Sequence, residues 1–209
     1  MTATLMHAPL ACSLAVRFAA AEGSVPLKIS LLNLRTKEFE TGGSLYDFNP
    51  LGQVSVLKLE DGQLLTETST CLLWLQSQSP DKGFRRPPEE GDYFQMIRWI
   101  SFCSTELHKQ IFRIVFYDEA TEEVKERIRD LAPKRFEVLD THLAGRQFLV
   151  GDTFSAADAY LSWFFVLADR AQLNASRYKN LQSYRDRMLA RPEIAALIED
   201  DRLKSKDIR

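Results

Sequence analysis

The sequence predicts two domains, a small mixed α/β domain followed by a bundle of helices, and three observations carry that expectation. From Thr2 to about Ser79, short apolar runs of strand length alternate with helical segments, the pattern of a mixed sheet covered by helices. Between Ser77 and Asp92 the chain is punctuated by prolines and glycines around Arg85-Arg86-Pro87-Pro88, a composition that continues neither helix nor sheet. Beyond Asp92, long helical patterns dominate. The expected boundaries are residues 1–79 for the α/β domain, 80–91 for a linker and 92–209 for the all-helical domain.

Residues 3–7 read as a short strand, 11–22 as a helix rich in Ala, Leu and Val, and 27–33 as a second strand, together a βαβ unit closed at Gly23. Residues 55–60 and 63–66 flank Asp61-Gly62, and an Asp-Gly pair between β-prone runs is a strong hairpin signal. Residues 68–76 read as the helix that ends the first domain. In the second, helices are expected over 92–116, 121–142, 156–171 and 178–190, with a short one after Pro192. Ser155 and Asp158 form a capping box with Asp in place of Glu at the start of one of them. On the first long helix Phe94, Ile97, Ser101, Ser104 or Thr105, and His108 fall three or four apart, so small polar residues share one face.

With 45% hydrophobic and 27% charged residues, the 209-residue chain has the composition of an ordinary globular protein. Its 27 basic and 29 acidic residues leave a net charge of −2, so neither nucleic acid nor an anionic membrane is an expected partner. No run approaches eighteen apolar residues, and residues 1–10 lack the basic and apolar regions of a signal peptide. The expectation is a cytoplasmic protein that does not span a membrane. Cys12, Cys71 and Cys103 are widely spaced and none belongs to a CxxC pair, which suggests a reducing compartment and neither a disulfide framework nor a metal site.

Cys12 falls at the start of the first helix, where unpaired N–H groups and the positive end of the helix dipole favour a thiolate. The alternative for Cys12 is a small buried residue that only packs; Cys71 and Cys103, each within a helix, read as core. Glu67-Thr68-Ser69 stands where a strand runs into a helix, an arrangement that holds an anion on backbone N–H groups, though N-capping by Thr68 accounts for the same residues. His108, near Glu106 and Lys109, is the histidine best placed for chemistry. Trp99, Phe112 and Phe116 read as core, with an apolar groove as the alternative.

Five segments, in register over nearly the whole chain, resemble the glutathione transferases, and among them the bacterial β class. They are Ala11-Cys12-Ser13-Leu14-Ala15, Asn49-Pro50-Leu51-Gly52-Gln53-Val54, Leu64-Leu65-Thr66-Glu67-Thr68, Thr105-Glu106-Leu107-His108-Lys109, and Phe154 to Tyr160. The resemblance implies a thioredoxin-like N-terminal domain, an all-helical C-terminal domain and glutathione as co-substrate. Gln53 and Val54 would bind the tripeptide backbone, Glu67 and Thr68 its γ-glutamyl end, and Lys37 its glycyl end. Cys12 would meet the glutathione sulfur, with His108 and Lys109 nearby, and Thr105 and Glu106 would reach the partner subunit's site in a homodimer. The implied reaction is conjugation of glutathione to a small hydrophobic electrophile, or thiol exchange with a disulfide. The alternative is a binding or scaffold protein that keeps the fold without catalysis.

Four positions depart from the family pattern. Ser55 stands where the family has a cis-proline, His7 where the class has tyrosine near the thiol, Leu10 in place of a glycine, and Ser101 in place of an asparagine. A cis peptide before a residue other than proline costs about 2.5 to 4 kcal/mol, against about 0.5 to 1 before proline. The Val54–Ser55 peptide is therefore expected to turn trans, or else to carry strain.

Overall fold

The computed structural model of the chain describes residues 2–87, 89 and 91–207. They fall into two units, Met1–Arg86 with Arg191–Arg209, and Pro87–Ala190. Pro88, part of the expected linker, lies outside the described residues.

The first unit is built on a four-stranded mixed sheet of order β2-β1-β3-β4. β1 (Ala3–His7) leads through α1 (Ser13–Glu22) to β2 (Leu27–Leu31), which pairs parallel to β1 with Ala3 opposite Leu27. β3 (Val56–Lys58) lies antiparallel on the other side of β1, and β4 (Leu64–Leu65) antiparallel to β3. α2 (Thr68–Gln78) follows and packs against α1. Leu5 and Leu57, opposite each other at the sheet centre, are fully buried, as are Leu14, Ala15, Phe18 and Ala19 of α1. The hairpin takes a longer turn than two residues. Leu59 N–H donates to Gln63 O at 2.9 Å, Gly62 N–H to Leu59 O at 3.0 Å, and Gly62 takes the left-handed conformation at φ +86°.

Gly23 closes the βαβ unit as expected, but a left-handed φ is not what requires a glycine there. Its φ is −87°, and the left-handed residue is Ser24 beside it. A Cβ at position 23 would lie 2.9 Å from both the Phe84 ring and Ala19 O, so glycine is required for close approach to the buried Phe84 side chain.

The second unit opens with α3 (Asp92–Phe102), which runs directly into a π-helix (Cys103–Phe112) and then α4 (Arg113–Val115). The single α-helix expected over 92–116 is thus π-helical through its middle. The wider π turn breaks the expected polar stripe: Ser101 and Thr105 are exposed, whereas His108 turns inward. The helix expected over 121–142 is two, α5 (Glu122–Arg129) and α6 (Ala132–Leu143). Pro133 explains the break, since it has no N–H and its ring clashes with the carbonyl four residues back. α7 (Ala156–Ala168) is buried along most of its length, and α8 (Lys179–Leu189) packs against it. The Ser155 and Asp158 capping box is formed. The fully buried Asp158 carboxylate accepts from Leu149 N and Ser155 N at 2.9 Å, Ser155 Oγ at 2.6 Å and Tyr184 Oη at 2.7 Å. Trp99 and Phe112 are buried, the latter stacked on Phe164 at 4.3 Å, so these aromatics are core; Phe116 reaches the surface.

The last helix, α9 (Pro192–Asp207), is sixteen residues long where a short one was expected. It groups with the first unit, although the sequence reading gave it to the helical domain. Arg191 holds its start to the end of α1 by a two-pronged pair with Glu22, Nε to Oε1 at 2.6 Å and Nη2 to Oε2 at 2.5 Å. Among the described residues no helix is long and apolar enough to cross a membrane.

Because the φ of Gly23 is open to alanine, Gly23→Ala tests the close approach of Phe84 and Ala19 O without a backbone penalty. It is expected to lower the free energy of unfolding by about 1 to 3 kcal/mol, measured by urea denaturation. A variant as stable as the parent would show that neither contact imposes a constraint.

Candidate functional site

Cys12 is the N-cap residue of α1 and only 6% exposed. It ends a tight turn in which Ala11 N–H donates to Ala8 O at 3.1 Å and Leu10 holds a φ of +62°. That conformation costs an L residue roughly 1 to 2 kcal/mol and explains why a glycine suits the position. The Cys12 thiol donates to Val54 O at 3.1 Å. Ala11 and Val54 in turn pack on a cluster of Met6, Ala8, Leu32, Phe39, Leu45 and Val56, so Val54 and the residue before Cys12 rest on the same core.

The loop carrying Val54 is fixed from within. Asn49 Nδ2 donates to Gln53 O at 2.7 Å, Leu51 N–H donates to Asn49 Oδ1 at 3.1 Å, and Gly52 sits at φ +58° where a Cβ would lie 2.6 Å from the Tyr46 ring. The Val54–Ser55 peptide is cis, which overturns the expected turn to trans. Ser55 is small enough for the buried space, and its hydroxyl has a partner there in Thr68 Oγ1 at 3.1 Å. The expectation that Thr68 caps α2 is corrected by the same bond. Glu67 occupies the N-cap without a side-chain capping bond, and Thr68, the first helical residue, directs its hydroxyl to Ser55. The structure therefore brings Cys12, Val54 and Thr68 together through one chain of contacts, with Gln53 and Glu67 adjoining it. Lys37 lies in the preceding loop with a φ of +67°, its amide bonded to Asn33 O at 2.8 Å and its carbonyl accepting from Leu45 N at 2.7 Å.

The other two cysteines are chemically quiet. Burial, with Cys12 adding to it, pushes the Cys71 thiol up to about 12, and burial pushes Cys103 further still. None of the three is in a disulfide.

In the second unit the π-helix carries Thr105, Glu106, His108 and Lys109. His108 Nδ1 lies 2.9 Å from Tyr160 Oη, and its ring meets Trp163 edge-on at 4.7 Å. Burial, helped by the charges of Lys109 and Arg113, holds its pKa down at about 4, so at neutral pH the imidazole is uncharged. Glu106 pairs with Arg135 at 2.8 Å, and Arg135 also reaches Gln110. Thr105 Oγ1 donates to Ser101 O at 3.0 Å, and Lys109 is exposed.

Sequence reasoning missed the residues that support the candidate side chains within each unit. Asn49 was recognised only as part of a motif, and nothing in the sequence pairs Arg135 with Glu106 or Tyr160 with His108. Asp201, from α9, is the largest omission. Its buried carboxylate accepts from Leu10 N at 2.7 Å, lies 2.9 Å from His7 Nε2 and binds Arg17. His7, a mere neighbour of the thiol in the sequence reading, is fully buried, with Nδ1 2.9 Å from Ser13 Oγ.

Comparison with known proteins places this geometry in context. Residues 105–201 match the family model described as glutathione S-transferase, C-terminal domain. Glutathione S-transferase GstA of Escherichia coli O157:H7 is 30% identical over 200 residues, covering 96% of this chain and 99% of that protein. A sphingomonad glutathione S-transferase solved in complex with glutathione is 28% identical at a TM-score of 0.89, covering 96% of this chain and 99% of that one. The β class glutathione S-transferase of Sphingomonas chungbukensis is 29% identical at a TM-score of 0.88, covering 95% and 98% respectively. With a thioredoxin-like sheet, a helical C-terminal domain and a cysteine at the first helix start, the chain belongs to the glutathione S-transferase family.

Proposed function

We propose that the chain is a cytoplasmic, homodimeric, glutathione-dependent enzyme with Cys12 as its reactive thiol, acting on a small hydrophobic electrophile or a small disulfide. The observation that carries this reading is the 3.1 Å contact between Cys12 Sγ and Val54 O, which joins the cysteine at the start of α1 to the loop whose backbone would take the tripeptide. The start of α2 supports it as well, since the N-cap residue Glu67 makes no side-chain capping bond and the first-turn N–H groups of a helix suit a carboxylate.

In this reading Gln53 and Val54 bind the glutathione backbone, Glu67 takes the γ-glutamyl ammonium, Thr68 and the α2 start take the γ-glutamyl carboxylate, and Lys37 faces the glycyl carboxylate. In thiol exchange the Cys12 thiolate attacks one sulfur of the disulfide, the S–S bond breaks, and the departing sulfur takes a proton. The glutathione thiolate then attacks the mixed disulfide and releases Cys12. In conjugation the glutathione sulfur itself forms the bond to the electrophile. A nucleophilic cysteine favours exchange. In this reading His108, uncharged at neutral pH, supplies a polar group able to accept a proton, and Lys109 a positive charge. Thr105 and Glu106 reach toward the partner subunit's glutathione in the dimer.

Calorimetric titration with millimolar glutathione is expected to show saturable binding, and the absence of any binding would reduce the chain to a non-catalytic member of its family. Cys12→Ala is expected to lower thiol exchange by roughly two orders of magnitude or more while glutathione still binds. Unchanged exchange in that variant would remove Cys12 from the mechanism.

His108 also makes a prediction about acid stability. Its folded pKa, about 4, lies below the ordinary value of 6.5, so its contribution is present above pH 6.5 and is lost as pH falls toward 4. Over that window the parent should lose about 3 kcal/mol more unfolding free energy than His108→Gln. Urea midpoints of the two proteins at pH 7, 5.5 and 4.5 measure the difference, and parallel curves would contradict it.

A further inference from the structure

The buried cluster behind the thiol turn has no part in the reaction outlined above. Asp201 Oδ2 accepts the Leu10 amide at 2.7 Å, while Oδ1 receives Arg17 and lies 2.9 Å from His7 Nε2. An ionised carboxylate only accepts, so His7 Nε2 carries a proton. With the ring neutral, Nδ1 accepts from Ser13 Oγ at 2.9 Å, and Ser13 Oγ in turn accepts the Ala8 amide at 3.3 Å. Arg17 Nη1 is also 3.3 Å from His7 Nε2, but both are donors, and what they share is the carboxylate. Around them, Asp200 pairs with Arg17 and with Lys204, each at 2.7 Å. His7, Ser13 and Asp201 are fully buried, so the hydroxyl of Ser13 has no access to a substrate.

Both ends of this network terminate on the turn that presents Cys12. Ala8 is held through Ser13 and His7, and Leu10 directly. Leu10 is the residue at φ +62°, a conformation that persists only where surroundings over-determine it, and the Asp201 carboxylate supplies that restraint. Cys12 follows two residues later, at the helix start.

We propose that Asp201 is a positioning residue for Cys12, so that the last helix, acting on Leu10 directly and on Ala8 through His7 and Ser13, holds the thiol at the start of α1. The proposal rests on Cys12 being the reactive thiol. It adds that the reactivity of this thiol is set by a residue that touches neither it nor a substrate.

The test is the pH profile of Cys12 alkylation by iodoacetamide, read on the Cys12 peptide by mass spectrometry in the absence of glutathione, with the melting temperature followed in parallel. Loss of a nearby negative charge by itself would move the midpoint down. Loss of position takes the thiol away from the helix start and moves it up. Asp201→Asn is therefore expected to raise the midpoint by about one unit, a roughly tenfold loss of reactivity at neutral pH. Adding Leu10→Gly, which makes the left-handed turn easy without the carboxylate, is expected to recover at least part of that loss. A midpoint that stays fixed or falls in Asp201→Asn, whatever happens to the melting temperature, overturns the proposal. Should Asp201→Asn fail to fold, Asp201→Glu is expected to shift the midpoint upward by less, and an unmoved midpoint there overturns it equally. Failure of glutathione to bind in the calorimetric titration would sink the enzymatic reading and leave this result intact.

Discussion

A carboxylate shut off from water is the constraint on which the first unit depends. Asp201 is removed from solvent completely, and a charge so placed survives only if its acceptor sites are filled. Here they are filled by a guanidinium, an imidazole and a backbone amide drawn from α1, β1 and the turn between them. A buried ion pair adds little net stability over a well-packed apolar cluster, but it tolerates few alternative arrangements. Its effect is to allow α9 one seat against the βα turn. The pair between Arg191 and Glu22 ties the other end of the same helix to the end of α1.

The second unit uses the same device at Asp158. Four donors from the loop before α7, from its N-cap and from α8 converge on a single buried carboxylate. Burial raises its pKa while those bonds pull it the other way, so the charge persists only while the loop, the cap and α8 are all in place. In both units a polar centre fixes register among elements whose apolar packing alone would accept small slips.

The sequence made much of this legible, and the reasons it failed elsewhere are physical. Alternating apolar runs gave the strands of the βαβ unit, and Ser155 with Asp158 announced a cap because both residues lie within one turn. Cys12, Val54 and Thr68 were each recognised from local motifs, and the fold joins them. What stayed hidden was long-range or cooperative. His7 and Asp201 lie at opposite ends of the chain, so no periodicity connects them. The π-helix keeps the composition of an α-helix and differs only in its hydrogen-bond step. Pro133 was visible, but a proline in the first turn of a helix and a proline that ends the previous one read alike until the break is seen. The Val54–Ser55 peptide was expected to turn trans or else carry strain because the proline rule considers the backbone alone, whereas the partner of the Ser55 hydroxyl, Thr68, comes from α2.

The discontinuity of the first unit has a consequence for biosynthesis. Translation delivers β1 and α1 early, yet the helix that seals His7 is made only after the entire helical unit has been polymerised. Until then His7, Arg17 and the Leu10 amide lack the carboxylate that joins them. The helical unit, contiguous in sequence, is free to close before α9 is made, and the unit that carries Cys12 closes after it. The surroundings of the Cys12 turn are thereby completed only once α9 has been made.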